Sequence, residues 1–476
     1  MFNFRLCTLS GLTVAAMLTG CSLTPALQMP ALPVAQAFPA PALSSPAQIG
    51  APVAAKLAPD VLWQDFFTDE RLKRLIAQAL LHNRDLRVAA LNIEQTRAAL
   101  QIRRADQLPG INAVVSGSRL PNASGGITSA YNMGLAVTAY ELDFFGRVSS
   151  LQEVALGQYL ATQEGALAAR ISLIASVANS YLSWLADQEL LALTQQVLAS
   201  REASQKLIQL RFDHGLTSEI DLRQAESLTQ AARVAHAQQQ RQRALDENAL
   251  TLLVGQSVAS ELAGAGAAAP LAQTLLLAEV PAGLPSDLLV NRPDIRQAEQ
   301  LLVASNANIG AARAAFFPRI ALTAGVGSAS RQLSGLLDSG SFGWTLAPQL
   351  LLPIFDAGRN QAGLESARAG QGIAVAQYER TIQTAFREVA DALAARSTLS
   401  QQLVAQTGQA EAEATRLKLV GLRYENGISS YLELLDAQRA TFATQQAVVQ
   451  TRLAQLQSQV TLYKALGGGW KEAAKP

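Results

Sequence analysis

Glu433 and Asp436 are carboxylates three positions apart, and Asp221 stands at the place of Glu433 in a second, similar stretch. Three-residue spacing puts Glu433 and Asp436 on one face of a helix, where like charges repel one another and attract cations. The plainer alternative is a solvated helix face. Chemistry that makes or breaks bonds has less to work with. His82, His214 and His236 lack metal-ligand spacing. Gly264-Ala265-Gly266-Ala267-Ala268-Ala269 imitates a dinucleotide loop, but no strand pattern precedes it and Pro270 follows. With no Gly-x-Ser-x-Gly elbow or phosphate loop either, no enzyme, cofactor or metal is expected.

The carboxylates belong to two stretches of one design, Arg211-Phe212-Asp213-His214-Gly215-Leu216-Thr217-Ser218 running to Asp221, and Arg423-Tyr424-Glu425-Asn426-Gly427-Ile428-Ser429-Ser430 running to Glu433. In each, a glycine supplies a left-handed turn after one helix and small polar residues cap the next. These are helical hairpin tips. Gly427 minus Gly215 is 212, and the same offset relates Gly146 to Gly358 and Gly255 to Gly467. The spacing predicts one unit duplicated, with repeats at 63–256 and 286–469, a connector at 257–285 and a tail at 470–476.

The chain has 476 residues, 49% hydrophobic but only 5% aromatic and 16% charged, so its apolar content is mostly alanine and leucine, suited to closely packed helices. Its formal charge of +1, with basic residues scattered, leaves no footprint for nucleic acid. Residues 1–20 read as a signal peptide, with Arg5, an apolar run from Leu6 to Leu18 and small residues after it. Leu18-Thr19-Gly20-Cys21 looks like a bacterial lipobox, which implies acylation of the Cys21 thiol and cleavage before it. Ser22 rather than aspartate after that cysteine suggests the outer membrane. From Cys21 to Leu62 the prolines forbid helix and regular sheet, and a tether is expected.

Helical periodicity covers Asp69 to Asp106 as one stripe, and then the period drops to two. Ile111, Ala113 and Val115 alternate weakly, and Tyr131, Met133, Leu135, Val137 and Ala139 clearly, with a link from Arg119 to Thr128. Ile320, Leu322, Ala324 and Val326, then Phe342, Trp344 and Leu346, repeat the pattern. Each hairpin is followed by a glycine-arginine turn and a very long helix. Continuous helix from Arg147 to Phe212 would extend about 100 Å, more than a compact domain can use. Shorter helices return over Glu219–Val254 and Tyr431–Leu466.

The longest uncharged apolar-leaning stretch, Ile171 to Ala186, falls short of the roughly 20 residues a membrane helix needs. The strands are about ten residues long and alternate apolar with small or polar, with Tyr131, Phe342 and Trp344 suited to an interfacial girdle. An ordinary half-buried sheet gives the same alternation. Four strands cannot close a barrel, so strands that span a membrane must be pooled by several chains.

Several segments resemble the TolC-type outer membrane efflux channels, specifically the NodT-like lipoproteins. They are Asn291-Arg292-Pro293-Asp294-Ile295-Arg296, Ala304 to Arg319, Arg423 to Gly427, Leu434-Leu435-Asp436-Ala437-Gln438-Arg439, and Tyr463 to Trp470. The resemblance implies an α+β membrane protein, a homotrimer whose strands form one twelve-stranded β-barrel continued by a periplasmic α-helical coiled-coil tunnel. It also implies a periplasmic adaptor, an inner-membrane pump of the RND type and outer-membrane lipid as partners. By position it maps a gate onto Leu432, Glu433 and Asp436, with Asp221 paired near Tyr424. Adaptor contact maps onto the tips at Gly215, Leu216, Thr217, Gly427, Ile428 and Ser429. Some members carry arginine where this chain has Ser429, which removes one closing salt bridge to Asp221. The rival is a non-conducting periplasmic spacer lipoprotein, which would have no use for two amphipathic β-hairpins.

Overall fold

The first long helix starts where Asp69 offers its carboxylate to the free amides of Arg71 (2.7 Å) and Leu72 (3.2 Å), satisfying donors that have no partner inside the helix. It is seen in a computed structural model that describes residues 22–38, 58–121, 123, 125–263, 271, 288 and 291–471. The expected signal peptide, Cys21, residues 39–57 of the expected tether, most of the expected connector and residues 472–476 lie outside the described residues. Helix α1 (Glu70–His82) buries Leu72, Leu75, Ile76 and Ala79 and stops at Asn83, whose backbone is extended. The Asn83 side chain donates to the Leu253 carbonyl (2.8 Å) and accepts from the Leu86 amide (2.9 Å), so one buried residue ends α1 and caps α2 (Arg84–Ala105). The single stripe expected from Asp69 to Asp106 is therefore two helices, and α2 buries only Leu100. Gly255 packs on the break, where a methyl group would overlap the His82 carbonyl oxygen.

Four strands, β1 (Ile111–Pro121), β2 (Ile127–Leu142), β3 (Arg319–Ser330) and β4 (Phe342–Leu351), form one antiparallel sheet in the order β1-β2-β3-β4. The first link is shorter than expected, because β1 continues to Pro121, which pairs opposite Ile127 at the strand's end, where a missing N–H costs little. The register gives the sheet two unlike faces. Ile111, Val115, Leu135, Val326, Trp344 and Leu346 lie on one; Ser116, Asn132, Gly134, Thr323, Gly325 and Thr345 lie on the other. The alternation expected to run through Ala139 does not. A bulge between Val137 and Tyr140 holds Ala139 at φ 53°, adds one residue, and keeps Tyr140 and Leu142 on the apolar face while turning Glu141 to the other. Every residue of β1 and β4 is exposed, and both are edge strands within the chain.

Two helices of 67 residues follow the hairpins, α3 (Arg147–Asp213) and α6 (Arg359–Glu425), and each is followed by a shorter one, α4 (Glu219–Val254) and α7 (Tyr431–Ala465). The left-handed glycines that bound them, Gly146 and Gly358, Gly215 and Gly427, Gly255 and Gly467, keep the 212-residue offset. A further helix, α5 (Pro293–Ala314), precedes β3. Among the described residues no helix is long and apolar enough to cross a membrane.

The contacts divide the chain into two units. One holds 1–32, 91–164 and 294–381, and contains the sheet. There Glu141 accepts from Arg147 through both oxygens (2.7 Å each) and pairs with Arg319 (2.5 Å), fastening the sheet to the start of α3, whose first amides Asp143 caps. Residues 22–32 carry no helix or strand but are not a free tether. Asn306 donates to the Pro25 carbonyl (2.8 Å) and Arg313 to the Leu23 carbonyl (3.2 Å), against α5. The other unit holds 33–90, 165–293 and 382–476. Its core includes Ile174, Ala178, Tyr181, Leu182 and Leu185 of α3, with Tyr181 donating to Asp69 (2.8 Å).

Candidate gate at the helical tips

Each tip is built by the same local chemistry. Gly215 and Gly427 both take φ 70°, which lets the amides of Leu216 and Ile428 turn back to the carbonyls of Arg211 and Arg423, 2.8 Å in both. Ser218 and Ser430 then cap α4 and α7, accepting from the amides of Asp221 and Glu433 at 3.2 Å. Below the turn, Ile208, Leu222 and Ala225 form a small core, with Phe212 and Tyr431 against it.

The side chains then diverge. Asp221 accepts from the hydroxyls of Ser218 (2.7 Å) and Thr217 (2.9 Å) and from the Ser218 amide (3.3 Å), closing a reciprocal capping box. Those bonds, Ser218's first, hold its carboxyl below the usual carboxylate range. The longer Glu433 makes no such return bond and stands exposed, and the buried hydroxyl of Ser429 has no hydrogen-bond partner. Asp436, also exposed, pairs with Arg416 of α6 at 2.5 Å, and Arg416 reaches Glu413 at 3.1 Å.

The structure does not bring Asp221 and Tyr424 into one hydrogen bond within a chain. Asp221 is spent in its own cap. The Tyr424 hydroxyl accepts from Arg211 Nη1 (3.0 Å), whose guanidinium carbon lies 5.8 Å from the Tyr424 ring centre. The Tyr431 ring centre is also 5.8 Å from that of Tyr424. Arg211 thus ties the end of α3 to the end of α6, and Tyr431 Oη lies 3.1 Å from Ser204 Oγ. The resemblance left Arg211 and Arg416 without a role; both act across helices, and only the helix register shows it. Leu216, Ile428 and Leu432 are 75%, 67% and 66% exposed, large apolar side chains held out at the tips. Among the described residues no cluster of His, Cys, Asp and Glu is placed to hold a metal ion. The arrangement can attract cations through Glu433 and offer an apolar contact.

A family model described as outer membrane efflux protein matches residues 75–256 and again 284–468. The antibiotic efflux pump outer membrane protein ArpC of Pseudomonas putida is 48% identical over 472 residues, covering 98% of this chain and 96% of that protein. The toluene efflux pump outer membrane protein TtgC, also of Pseudomonas putida, matches to the same extent, 48% identical over 98% of this chain and 96% of its own. Among solved structures, the open state of the MtrE outer membrane channel of Neisseria gonorrhoeae superposes with a TM-score of 0.85 at 40% identity, covering 96% of this chain and 100% of that one.

Proposed function

The chain belongs to the outer membrane efflux protein family, and from that premise we propose that three copies pool their strands into one closed twelve-stranded barrel, prolonged by their helices as a periplasmic tunnel. It is the outer-membrane channel component of a tripartite, RND-type efflux system. The observation that carries the reading is the sheet itself. One face is apolar across all four strands, the other small and polar, and both edges lack a partner in the chain. In lipid an open edge costs several kcal/mol for each unsatisfied backbone group, so closure by further copies is the arrangement that satisfies it. A spacer confined to the periplasm would expose that apolar face to water, which disfavours the rival reading.

The relatives named for antibiotics and toluene support small drug-like or solvent-like molecules as cargo, passed through without chemistry. Glu433 and Asp436 line the narrow periplasmic end with Leu432 as an apolar constriction, while Asp221 and Tyr424 steady the tip beside them. The apolar tips around Gly215, Leu216, Thr217, Gly427, Ile428 and Ser429 receive the adaptor protein, which joins the channel to the inner-membrane pump. The two matches to one family model, with the 212-residue offset, support descent from a duplicated unit. Acylation of Cys21, as in NodT-like lipoproteins, adds a second hold on the membrane. Leu23 is pinned to Arg313, six positions before β3 begins, which suits an acyl chain entering the leaflet near the base of the sheet.

Purified protein in detergent tests the reading directly. A trimer that conducts ions in a planar bilayer is expected, and a monodisperse monomer with its full β signal would overturn the shared barrel. Mass spectrometry of the mature N-terminus tests Cys21, and an unmodified thiol there would reject the anchor.

A further inference from the structure

We propose that the apolar face of the sheet carries a binding site for a phosphorylated, multiply acylated glycolipid of the outer leaflet, its headgroup on Arg119 and Arg331 and an acyl chain in the groove over Ala324. The inference rests on the shared barrel, which turns that face toward lipid and the β1–β2 and β3–β4 links toward the cell exterior. The register sets the levels. Ala113, Leu135, Val326 and Trp344 form one row across the strands, and Ile111, Val137, Ala324 and Leu346 form the next row toward the helices. Ala324 is the smallest member of its row, and the exposed side chains of Leu135, Val326, Trp344 and Leu346 wall an apolar groove of about 380 Å³ around it. Two rows from Leu135 toward the links, Tyr131 lies opposite Gly117, where an added methyl would meet its ring at 3.1 Å. An aromatic at that level suits a membrane interface. One row further, on the same face of β1, comes Arg119. Six positions separate Ala113 from Arg119, about 20 Å of strand. At the tilt of a membrane barrel this is roughly the depth of one leaflet, about 15 Å. A lipid whose headgroup sits at Arg119 therefore ends its chain in the groove.

Charge singles out this end of the sheet. At the helical end Arg147 and Arg319 are both neutralised by Glu141. Arg119 and Arg331, at the other end, are exposed and make no ion pair among the described residues, and Asp338, the one carboxylate in the two links, joins neither. Arg331 follows Ser330, which pairs with Tyr131, so β2 alone separates the strands that carry the two arginines, a gap of about 10 Å. Cations that far apart suit a headgroup broad enough to bear a phosphate at each end, as a phosphorylated disaccharide does, better than a single glycerol phosphate. Each guanidinium offers paired N–H donors to phosphate oxygens. The groove adds burial of an acyl chain, which a free phosphate lacks. Leu333 and Leu337, 68% and 85% exposed in the turn between β3 and β4, extend the apolar surface beside Arg331.

Native mass spectrometry of the detergent-purified protein tests the site, with bis-phosphorylated lipid A, its dephosphorylated form and phosphatidylglycerol as the added probes. The wild-type trimer should retain the bis-phosphorylated lipid at up to one copy per chain and hold the other two far less. Arg119→Gln and Arg331→Gln should each weaken that retention by about tenfold, the scale of one charge-assisted hydrogen bond. Ala324→Leu, which fills the groove without touching either charge, should weaken it too and leave the preference for phosphate intact. Equal retention of all three lipids by the wild-type trimer would mean bulk lipid contact only and would overturn the site without recourse to any variant. Arginine variants that hold the bis-phosphorylated lipid as tightly as wild type would overturn it as well. A monomer would sink the shared barrel and this site together, whereas a trimer indifferent to phosphate sinks this site alone.

Discussion

Asp221 and Glu433 occupy the same cap position in two copies of one tip, yet Asp221 is tied down by three hydrogen bonds from its own turn and Glu433 by none. One methylene and the change from Thr217 to Ser429 separate a carboxylate that builds structure from one left exposed. The first tip is stiffened by its acid, while the second keeps its acid available.

Ser218→Ala should therefore weaken the first tip by about 0.5–2 kcal/mol, the usual range for a lost N-cap, and leave the second unaffected. The pH dependence follows from the depressed Asp221 carboxyl. A lowered folded value means the cap's contribution is present above the unfolded value, about 3.9, and is lost as pH falls through the folded one. Because Asp221 is only half-buried, solvent screens the effect, and amide hydrogen exchange confined to residues 219–223 should register it better than global unfolding. Equal loss of protection at residues 431–435 would contradict the asymmetry.

Gly134 and Gly327 face each other across β2 and β3 so closely that a methyl on Gly134 would overlap the Val326 carbonyl oxygen and lie 2.7 Å from Gly327 Cα. Gly134→Ala should force the strands apart, at a cost of about 1–3 kcal/mol for an overpacked site. Gly343, next in the same row on β4, has nothing within 4 Å of such a methyl, and Gly343→Ala should be tolerated. Assembly in membranes, followed by gel mobility with and without heating, should separate the two. Equal behaviour would mean that the close approach is not maintained.

Gly310 makes room for the N-terminal segment. A methyl there would overlap Thr24 Oγ1 and sit 2.7 Å from Ser150 Oγ. Gly310→Ala should displace residues 22–25 from α5, breaking the Asn306 bond to Pro25 as well, and expose them to added protease. A wild-type cleavage pattern would show that the segment accommodates the methyl without leaving.

The helix ends and the two-faced sheet were legible in advance because their signals are local. Gly215, Gly427, Ser218 and Ser430 act on bonds within a few positions, and strand alternation needs only the neighbours. Asn83 hides inside an unbroken apolar stripe, since its reason for ending α1 lies at Leu253, 170 positions away. Ala139 carries no mark of a bulge, because alanine rarely adopts its φ of 53° and the partner strand imposes it. The docking of residues 22–25 was unreadable from prolines that exclude regular structure without saying what they rest on. At the proposed gate the carboxylates could be named from their spacing and the resemblance, but their ion-pair partners could not, because Arg416 lies 20 positions from Asp436 and meets it only through the register of α6 on α7.

That last contact decides how the proposed gate should respond to mutation. With Asp436 paired to Arg416 at 2.5 Å, its charge is already offset, and Glu433 supplies most of the free negative potential. Glu433→Ala should lower cation preference and block by multivalent cations more than Asp436→Ala does. The pair is surface-exposed, so its own energetic worth is small, but its effect on the local potential is not. Arg416→Gln should act in the opposite direction, freeing the Asp436 carboxylate and raising cation preference above wild type, with Glu413 freed beside it. Arg211→Gln should instead leave selectivity alone and loosen the tip, because its bond to the Tyr424 hydroxyl joins α3 to α6. Reversal potentials under a salt gradient in planar bilayers measure all four variants. If Arg416→Gln leaves cation preference unchanged or lower, the Asp436 charge is not being masked where ions pass, and the assignment of that carboxylate to the aperture fails.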